Sequence, residues 1–333
     1  MKNQPLLVWF GLLAIFTVLS WPADPFNLET TRVNIPPGAS VKATQQTLQA
    51  KGILPRFSAF ALTVRLLGLQ NKIKAGEYSF APADPLPAII SRLLHNETVP
   101  QAEIRVTFPE GSSIYKMGLA LKETGYLHWA EFQGLVNEGI TAQLRLRHWG
   151  IFKFIPSESL EGYLFPDTYH LFITASPETV AEAMVNRFEQ VVVPFWLTAQ
   201  KETKLTLHET LTLASIIEKE AQKPEERAVI SSVFHNRLAK GMPLAADPTV
   251  KYALERPSKI VYLDQLSVRS PYNTYKRRGL PPGPICNPGL ESIKAAVYPA
   301  QTNYFFFVAK PDGGHIFSKT WQEHQRARQT VVR

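Results

Sequence analysis

The chain holds a single cysteine in 333 residues, Cys286, so neither an intrachain disulfide nor a cysteine-based metal cluster can form. It has no glycine-rich phosphate loop, no zinc-ligand spacing and no pyridoxal-phosphate signature. No basic run is longer than Lys276-Arg277-Arg278, so nucleic acid is not a favoured partner. Acidic residues are in the minority, 28 against 36 Lys and Arg, for a net charge of +8. That balance suits a polyanionic partner or an anionic membrane surface. With 45% hydrophobic and 19% charged residues the chain can build real cores, and its length predicts two or three domains.

Charge is missing altogether from Leu6 to Trp21, between Pro5 and Pro22. The run is short for a hydrocarbon core of roughly 30 Å, although tilt and flanking residues extend it. Every face is apolar, which argues against a buried core helix. Lys2 precedes the run, while Asp24 and Glu29 follow it before any basic residue. That bias leaves the tail in the cytoplasm and exports the rest. The competing reading is a cleaved signal peptide with a weak site at Val18-Leu-Ser20. The single Lys and the long run favour an uncleaved anchor, spanning the inner (cytoplasmic) membrane once.

Two segments repeat. Val33, Pro36, Gly38, Ser40, Leu48, Gly52 and Leu54 recur at a constant offset as Val106, Pro109, Gly111, Ser113, Leu121, Gly125 and Leu127. Each copy reads as a strand, a Pro-x-Gly-x-Ser turn, an amphipathic helix capped by Ser, and a closing Gly. Lys74–Phe80 reads as a strand and 82–94 as a turn into a helix. Together these make a compact strand–helix–strand module over about residues 30–100. Further helices are expected to about Gly139, over 177–200 and 207–222, and over 224–240. Residues 140–160 read as loop and Tyr304–Ala309 as a strand.

Within 207–222, Leu211, Ala214, Ile217 and Ala221 follow the spacing of a buried helical stripe. Glu218 falls inside that stripe, whereas Lys219 and Glu220 are placed on the polar face. A carboxyl on the core side of a helix is costly to ionise, which is the state a general acid needs. A helix-edge Glu paired with an Arg such as Arg227 is the structural alternative. Five polar-aromatic blocks surround this helix in sequence: Glu161–Tyr169, Phe234–Leu238, Asp247–Tyr252, Ser270–Tyr275 and Gly279–Gly289. Their prolines pre-set the backbone, and their aromatic, amide and hydroxyl groups suit a cleft for a sugar polymer.

These blocks, with Ala214–Ala221, resemble the endolytic murein transglycosylase (YceG-like) family over nearly the whole chain. The resemblance implies an α+β protein: an anchor over residues 1–23, a LysM-like glycan-binding module over 30–100, and a catalytic domain over 101–333 with a helix-borne glutamate. It places the catalytic acid on Glu218. It makes Glu161, Tyr163, Asp167, Tyr169, Asn236, Asp247, Thr249, Asn273, Tyr275 and Asn287 the candidate substrate contacts. No metal or cofactor is implied. The expected reaction cleaves the MurNAc-β-1,4-GlcNAc bond of nascent strands with 1,6-anhydro ends, terminating glycan elongation. Glycan strands and peptidoglycan synthases (penicillin-binding proteins) are the expected partners. Relatives often carry Gln where this chain has Ala245, which removes one expected contact. Two other classes stay open: a non-catalytic wall scaffold and a peptidoglycan glycoside hydrolase.

Overall fold

The computed structural model describes residues 20–95, 102–139, 142–152, 155–156, 158–254 and 264–331. The expected anchor lies almost wholly outside the described residues. Among those residues, no helix is long and apolar enough to cross a membrane. Two compact units separate at residues 101 and 102.

In the first unit, strand β1 (Thr31–Ile35) pairs antiparallel with β2 (Gly76–Phe80), Val33 lying opposite Tyr78. Alternation puts Val33 and Ile35 on the same buried face as Tyr78 and Phe80. Helices Val41–Ala50 and Phe60–Leu66 lie between the strands in sequence, and Leu86–His95 follows β2. Leu48, Phe60, Val64, Ile89 and Leu93 close the core. The Ser40 hydroxyl caps the first helix by accepting from the Ala43 N–H at 3.2 Å. The helix Phe60–Leu66 has no sequence-level cap and was not expected. It is held by its buried pair Phe60 and Val64, one turn apart.

The second unit opens in the same way. Strand β3 (Glu103–Thr107) pairs antiparallel with β4 (Thr168–Phe172), and helices Ile114–Glu123 and Trp129–Glu138 lie between them. Ser113 caps its helix through the Lys116 N–H. The turn glycines Gly38 and Gly111 adopt φ +73° and +75°, a left-handed conformation that glycine enters without a Cβ penalty. The repeat is therefore structural, and it extends beyond the expected strand–turn–helix: in both copies a strand is followed by two helices and later by its antiparallel partner, with two further short helices before that partner in the second copy. Strand β4 went unread because it overlaps the Glu161–Tyr169 block. Residues 140–160, expected as loop, contain the short helices Ala142–Arg147 and Trp149–Phe152.

The rest of this unit is built around helix Leu207–Glu220, opened by a Thr206–Glu209 capping box. Leu211, Leu213, Ala214, Ile216 and Ile217 are all fully buried. The apolar surface thus runs all round this helix rather than along one stripe, the pattern of a central helix. It packs against Leu290–Val297 and Arg227–Ala239. A hairpin of β5 (Phe306–Ala309) and β6 (His315–Ser318) and the helix Trp321–Val331 complete the unit.

The two turn glycines separate conformation from packing. A Cβ on Gly38 meets nothing within 4 Å, while one on Gly111 comes to 3.3 Å from Glu218 Cγ. Gly38→Ala should cost about 1–2 kcal/mol of stability, the left-handed penalty alone, and leave unchanged the cleavage that the resemblance implies. Gly111→Ala should carry a similar backbone cost and also lower the rate of cleavage. Thermal melts and a product assay on both variants check this, and equal activities would show that the Gly111 turn does not set the site.

Candidate active site

The last turn of helix Leu207–Glu220 carries two carboxylates, Glu218 and Glu220. Two residues advance a helix by roughly 200°, so the pair faces opposite ways.

Glu218 faces the repeated turn. Its side chain is 8% exposed and lies 3.8 Å from Arg227 Nη2. Its Oε2 accepts from the N–H of Gly289 at 3.2 Å. Lys219 Nζ donates to the Gly111 carbonyl. Glu110 joins this group, 3.9 Å from the same Arg227 nitrogen. Burial first, and then the Glu218 carboxylate, hold the Glu110 carboxyl above its usual value, with Arg227 opposing. A guanidinium shared by two acids, with Arg227 Nε also donating to Ser292 Oγ, is a packed ionic cluster.

Glu220 faces the polar-aromatic blocks. It is half-buried rather than set on a polar face. Burial pushes its carboxyl up to about 7; the Asp247 carboxylate adds to this, while Lys251 and Arg237 oppose it. Asp247 is exposed and accepts from the Tyr275 hydroxyl at 2.5 Å. Arg237 is fixed by donating to the carbonyls of Phe305 and Leu244. Between Leu244 and Asp247 the chain kinks at Ala245, with φ +48°, the only left-handed non-glycine among the described residues. The Ala245 N–H bonds to the Thr274 carbonyl, and the Ala246 N–H bonds to the Thr274 hydroxyl. Strain held in place by its neighbours next to a perturbed acid is a pattern of functional sites.

The remaining sequence candidates are engaged within the protein. Buried Glu161 accepts from the Ile114 N–H and from Asn287 Nδ2 at 2.9 Å. Burial raises its carboxyl to about 8 against those hydrogen bonds. Asn287 Oδ1 accepts from the Gly162 and Leu164 N–H groups, both at 2.9 Å. The Tyr163 hydroxyl meets His208 Nδ1 at 2.8 Å, and His208 Nε2 lies 2.8 Å from the Pro282 carbonyl. That carbonyl can only accept, so Nε2 carries the proton and Nδ1 accepts from Tyr163. Asp167 pairs with Arg187 at 2.6 Å, and the Thr168 N–H, then Arg187, hold its carboxyl below the usual range. Tyr169 donates to the Phe165 carbonyl. Asn236 donates to the carbonyls of Thr302 and Tyr304. Thr249 bonds to Ala246 and Thr274. Asn273 donates to Leu266 and Val268. Of the candidates, Asp247 and Tyr275 stand beside Glu220.

Three residues beside these acids escaped the sequence reading: Glu110, Glu220 and Arg237. The repeat held a signal for the first. Where the first copy reads Pro36-Pro-Gly38, the second reads Pro109-Glu-Gly111, a charge introduced into an otherwise matched turn.

The model of the YceG-like family matches residues 33–330. The endolytic murein transglycosylase of Bacillus subtilis strain 168 is 36% identical over 318 residues, covering 93% of this chain and 87% of the relative. That of Streptococcus pneumoniae strain D39 is 28% identical, covering 92% of this chain but 59% of the relative. The crystal structure of a YceG-like protein from Listeria monocytogenes superposes with a TM-score of 0.61 at 33% identity, over 90% of this chain and 99% of that one. The chain belongs to the YceG-like family, and it is a lytic transglycosylase.

Glu161 makes a stability prediction. Unfolded, its carboxyl titrates near 4.5; folded, near 8. The folded state holds the extra proton across that window, so this contribution is complete below pH 4.5 and is lost as pH rises through about 8. Glu161→Gln keeps an oxygen acceptor and removes the titration. Its melting temperature should fall less between pH 5 and pH 9 than that of the wild type. Parallel curves would show that Glu161 does not titrate in that range.

Proposed function

We propose that the protein cuts nascent glycan strands at the MurNAc-β-1,4-GlcNAc bond and leaves 1,6-anhydro-MurNAc ends. One observation carries this reading: within a YceG-family chain, a half-buried glutamate near pH 7 stands on the central helix amid the sequence blocks expected to line a cleft. The stripe pattern pointed to Glu218. The geometry favours Glu220, because Glu218 is engaged by Arg227 and Gly289 while Glu220 has a partly open, proton-retaining setting.

In this mechanism the Glu220 carboxyl gives its proton to the departing glycosidic oxygen as the bond to C1 breaks. The resulting carboxylate takes the proton of the muramyl C6 hydroxyl, whose oxygen closes on C1. Proton and charge balance within the residue and the sugar, without water. Intramolecular attack supplies effective concentration in place of a second catalytic carboxylate. Asp247 then acts by raising the proton affinity of Glu220, and Tyr275 holds Asp247. A glycoside hydrolase would instead use such a carboxylate pair on water and release reducing ends.

The first unit supports glycan holding. A groove of about 590 Å³ runs between the Pro36–Val41 turn and the Gln70–Ala75 segment, with Lys42, Arg65, Gln70 and Asn71 on its walls. The strand–helix–helix–strand order supports the LysM-like reading. Gln70→Ala with Asn71→Ala should weaken co-sedimentation with isolated cell walls, and retention equal to wild type would remove the groove from the argument. Anchoring by Leu6–Trp21 would put both units outside the inner membrane, within reach of strands still held by their synthases.

The acid is tested by a pair of variants assayed on uncrosslinked strands with mass spectrometry of the products. Glu220→Gln should lower anhydro-product formation by about 10²–10⁴-fold, the range for a lost general acid–base. Glu218→Gln should have a smaller effect. Wild-type activity should decline above about pH 7 as Glu220 loses its proton. The reverse ranking of the two variants would return the role to Glu218, and reducing-end products would favour the hydrolase.

A further inference from the structure

The first unit leaves an apolar face uncovered. Phe57, Leu62, Leu66 and Leu67 are 74%, 52%, 74% and 62% exposed. Leu62 and Leu66 lie one turn apart on helix Phe60–Leu66, opposite the buried pair Phe60 and Val64. Exposed leucines one turn apart on a helix, with exposed Phe57 and Leu67 at either side in sequence, are the kind of apolar surface that marks a binding site.

Charge identifies the occupant. From Thr30 to Gly76 the chain has no Asp or Glu, and its seven charged residues are Arg32, Lys42, Lys51, Arg56, Arg65, Lys72 and Lys74. Arg56 and Arg65 border the exposed leucines in sequence, and the Arg56 guanidinium lies 6.0 Å from the Phe57 ring. Leucine and phenylalanine with a basic surround are the composition of a segment lying in the headgroup region of an anionic bilayer.

The tether fixes the distance. The Asp24 N–H donates to the Pro82 carbonyl, and the Ala83 N–H donates to the Asn27 carbonyl. The chain is thus fastened to this unit three residues after the apolar run ends at Trp21, a reach of roughly 10 Å. Trp21, Phe26 and Leu28, on the same short stretch, are also exposed.

We propose that the Phe57–Leu67 face of the first unit seats on the anionic lipid surface of the membrane that carries the anchor. It rests on the anchor reading for its setting in the cell. The docked face would hold the glycan groove at a fixed, low height over the lipid, where a strand emerges from its synthase.

The test uses the chain from Ser20 onward, which keeps both cores but lacks most of the apolar run. It should co-sediment with vesicles containing one-third phosphatidylglycerol and far less with pure phosphatidylcholine. Leu62→Ser with Leu66→Ser, both at exposed positions, should reduce anionic-vesicle binding at least about tenfold while leaving cleavage of soluble strands unchanged. Binding by the double variant equal to wild type would overturn the face and leave only diffuse charge attraction. No binding by the wild type, or a dimer that the double variant dissolves, would also overturn it. Because most of the apolar run is absent from the sample, failure here leaves the anchor reading untouched.

Discussion

A single buried side chain, the amide of Asn287, joins the parts of the catalytic unit that sequence keeps furthest apart. Its oxygen accepts from Gly162 and Leu164, and its nitrogen donates to Glu161 and to the Ser112 carbonyl. All four hydrogen-bonding positions of the amide are used, and Asn287 has no solvent exposure. Backbone bonds between Gly111 and Asn287, and between Asn287 and Ser112, lock the same junction. The close approach leaves no room for a side chain at Gly162, where a Cβ would come to 2.4 Å from Pro284 Cγ. The turn, the Glu161–Tyr169 block and the Gly279–Gly289 loop therefore behave as one rigid body. Removing one member leaves the others with buried unpaired groups, which costs more than the bond itself is worth.

That junction explains why so many polar residues read as substrate contacts. Tyr, Asn, Thr and Asp in proline-rich blocks look alike from sequence whether they face a ligand or hold a loop. Here most of them hold loops: Asn273 its own turn, Asn236 the 302–304 segment, and Tyr163 the His208–Pro282 chain. Rigid walls are still what a cleft requires, because preorganised groups need not be ordered when substrate arrives. Blocks far apart in sequence are brought against helix Leu207–Glu220, while the individual contacts they make depend on directions that only the fold sets.

Legibility followed periodicity. The long helices appeared at nearly their expected limits because their caps and hydrophobic spacing agree; Pro177–Ala199 and Leu207–Glu220 are examples. The repeat was legible because proline, glycine and serine are each demanded by the turn. Strand Thr168–Phe172 was not, since its partner Glu103–Thr107 lies over 60 residues away and its own residues match a sequence block. The choice between Glu218 and Glu220 was illegible for a sharper reason. Stripe arguments assume one apolar face, and helix Leu207–Glu220 is buried nearly all round. Once every face is core, periodicity cannot say which carboxylate meets solvent; that depends on the surrounding loops.

The two copies of the strand–turn–helix repeat show how one local pattern came to serve different ends. In the first, the Pro36–Val41 turn borders an open groove, and Gly38 has empty space around it. In the second, the matching Gly111 is pressed by Glu218 and Lys219, and the start of its helix is held by Glu161. The same backbone thus supplies an open surface once and a socket for helix Leu207–Glu220 once. One difference within the turn is a charge: Pro37 in the first copy, Glu110 in the second, the latter reaching Arg227. A turn that needs proline, glycine and a capping serine leaves the position between proline and glycine free to vary. A charge can be introduced there without disturbing the fold, and Glu110 uses it to join the Arg227–Glu218 cluster.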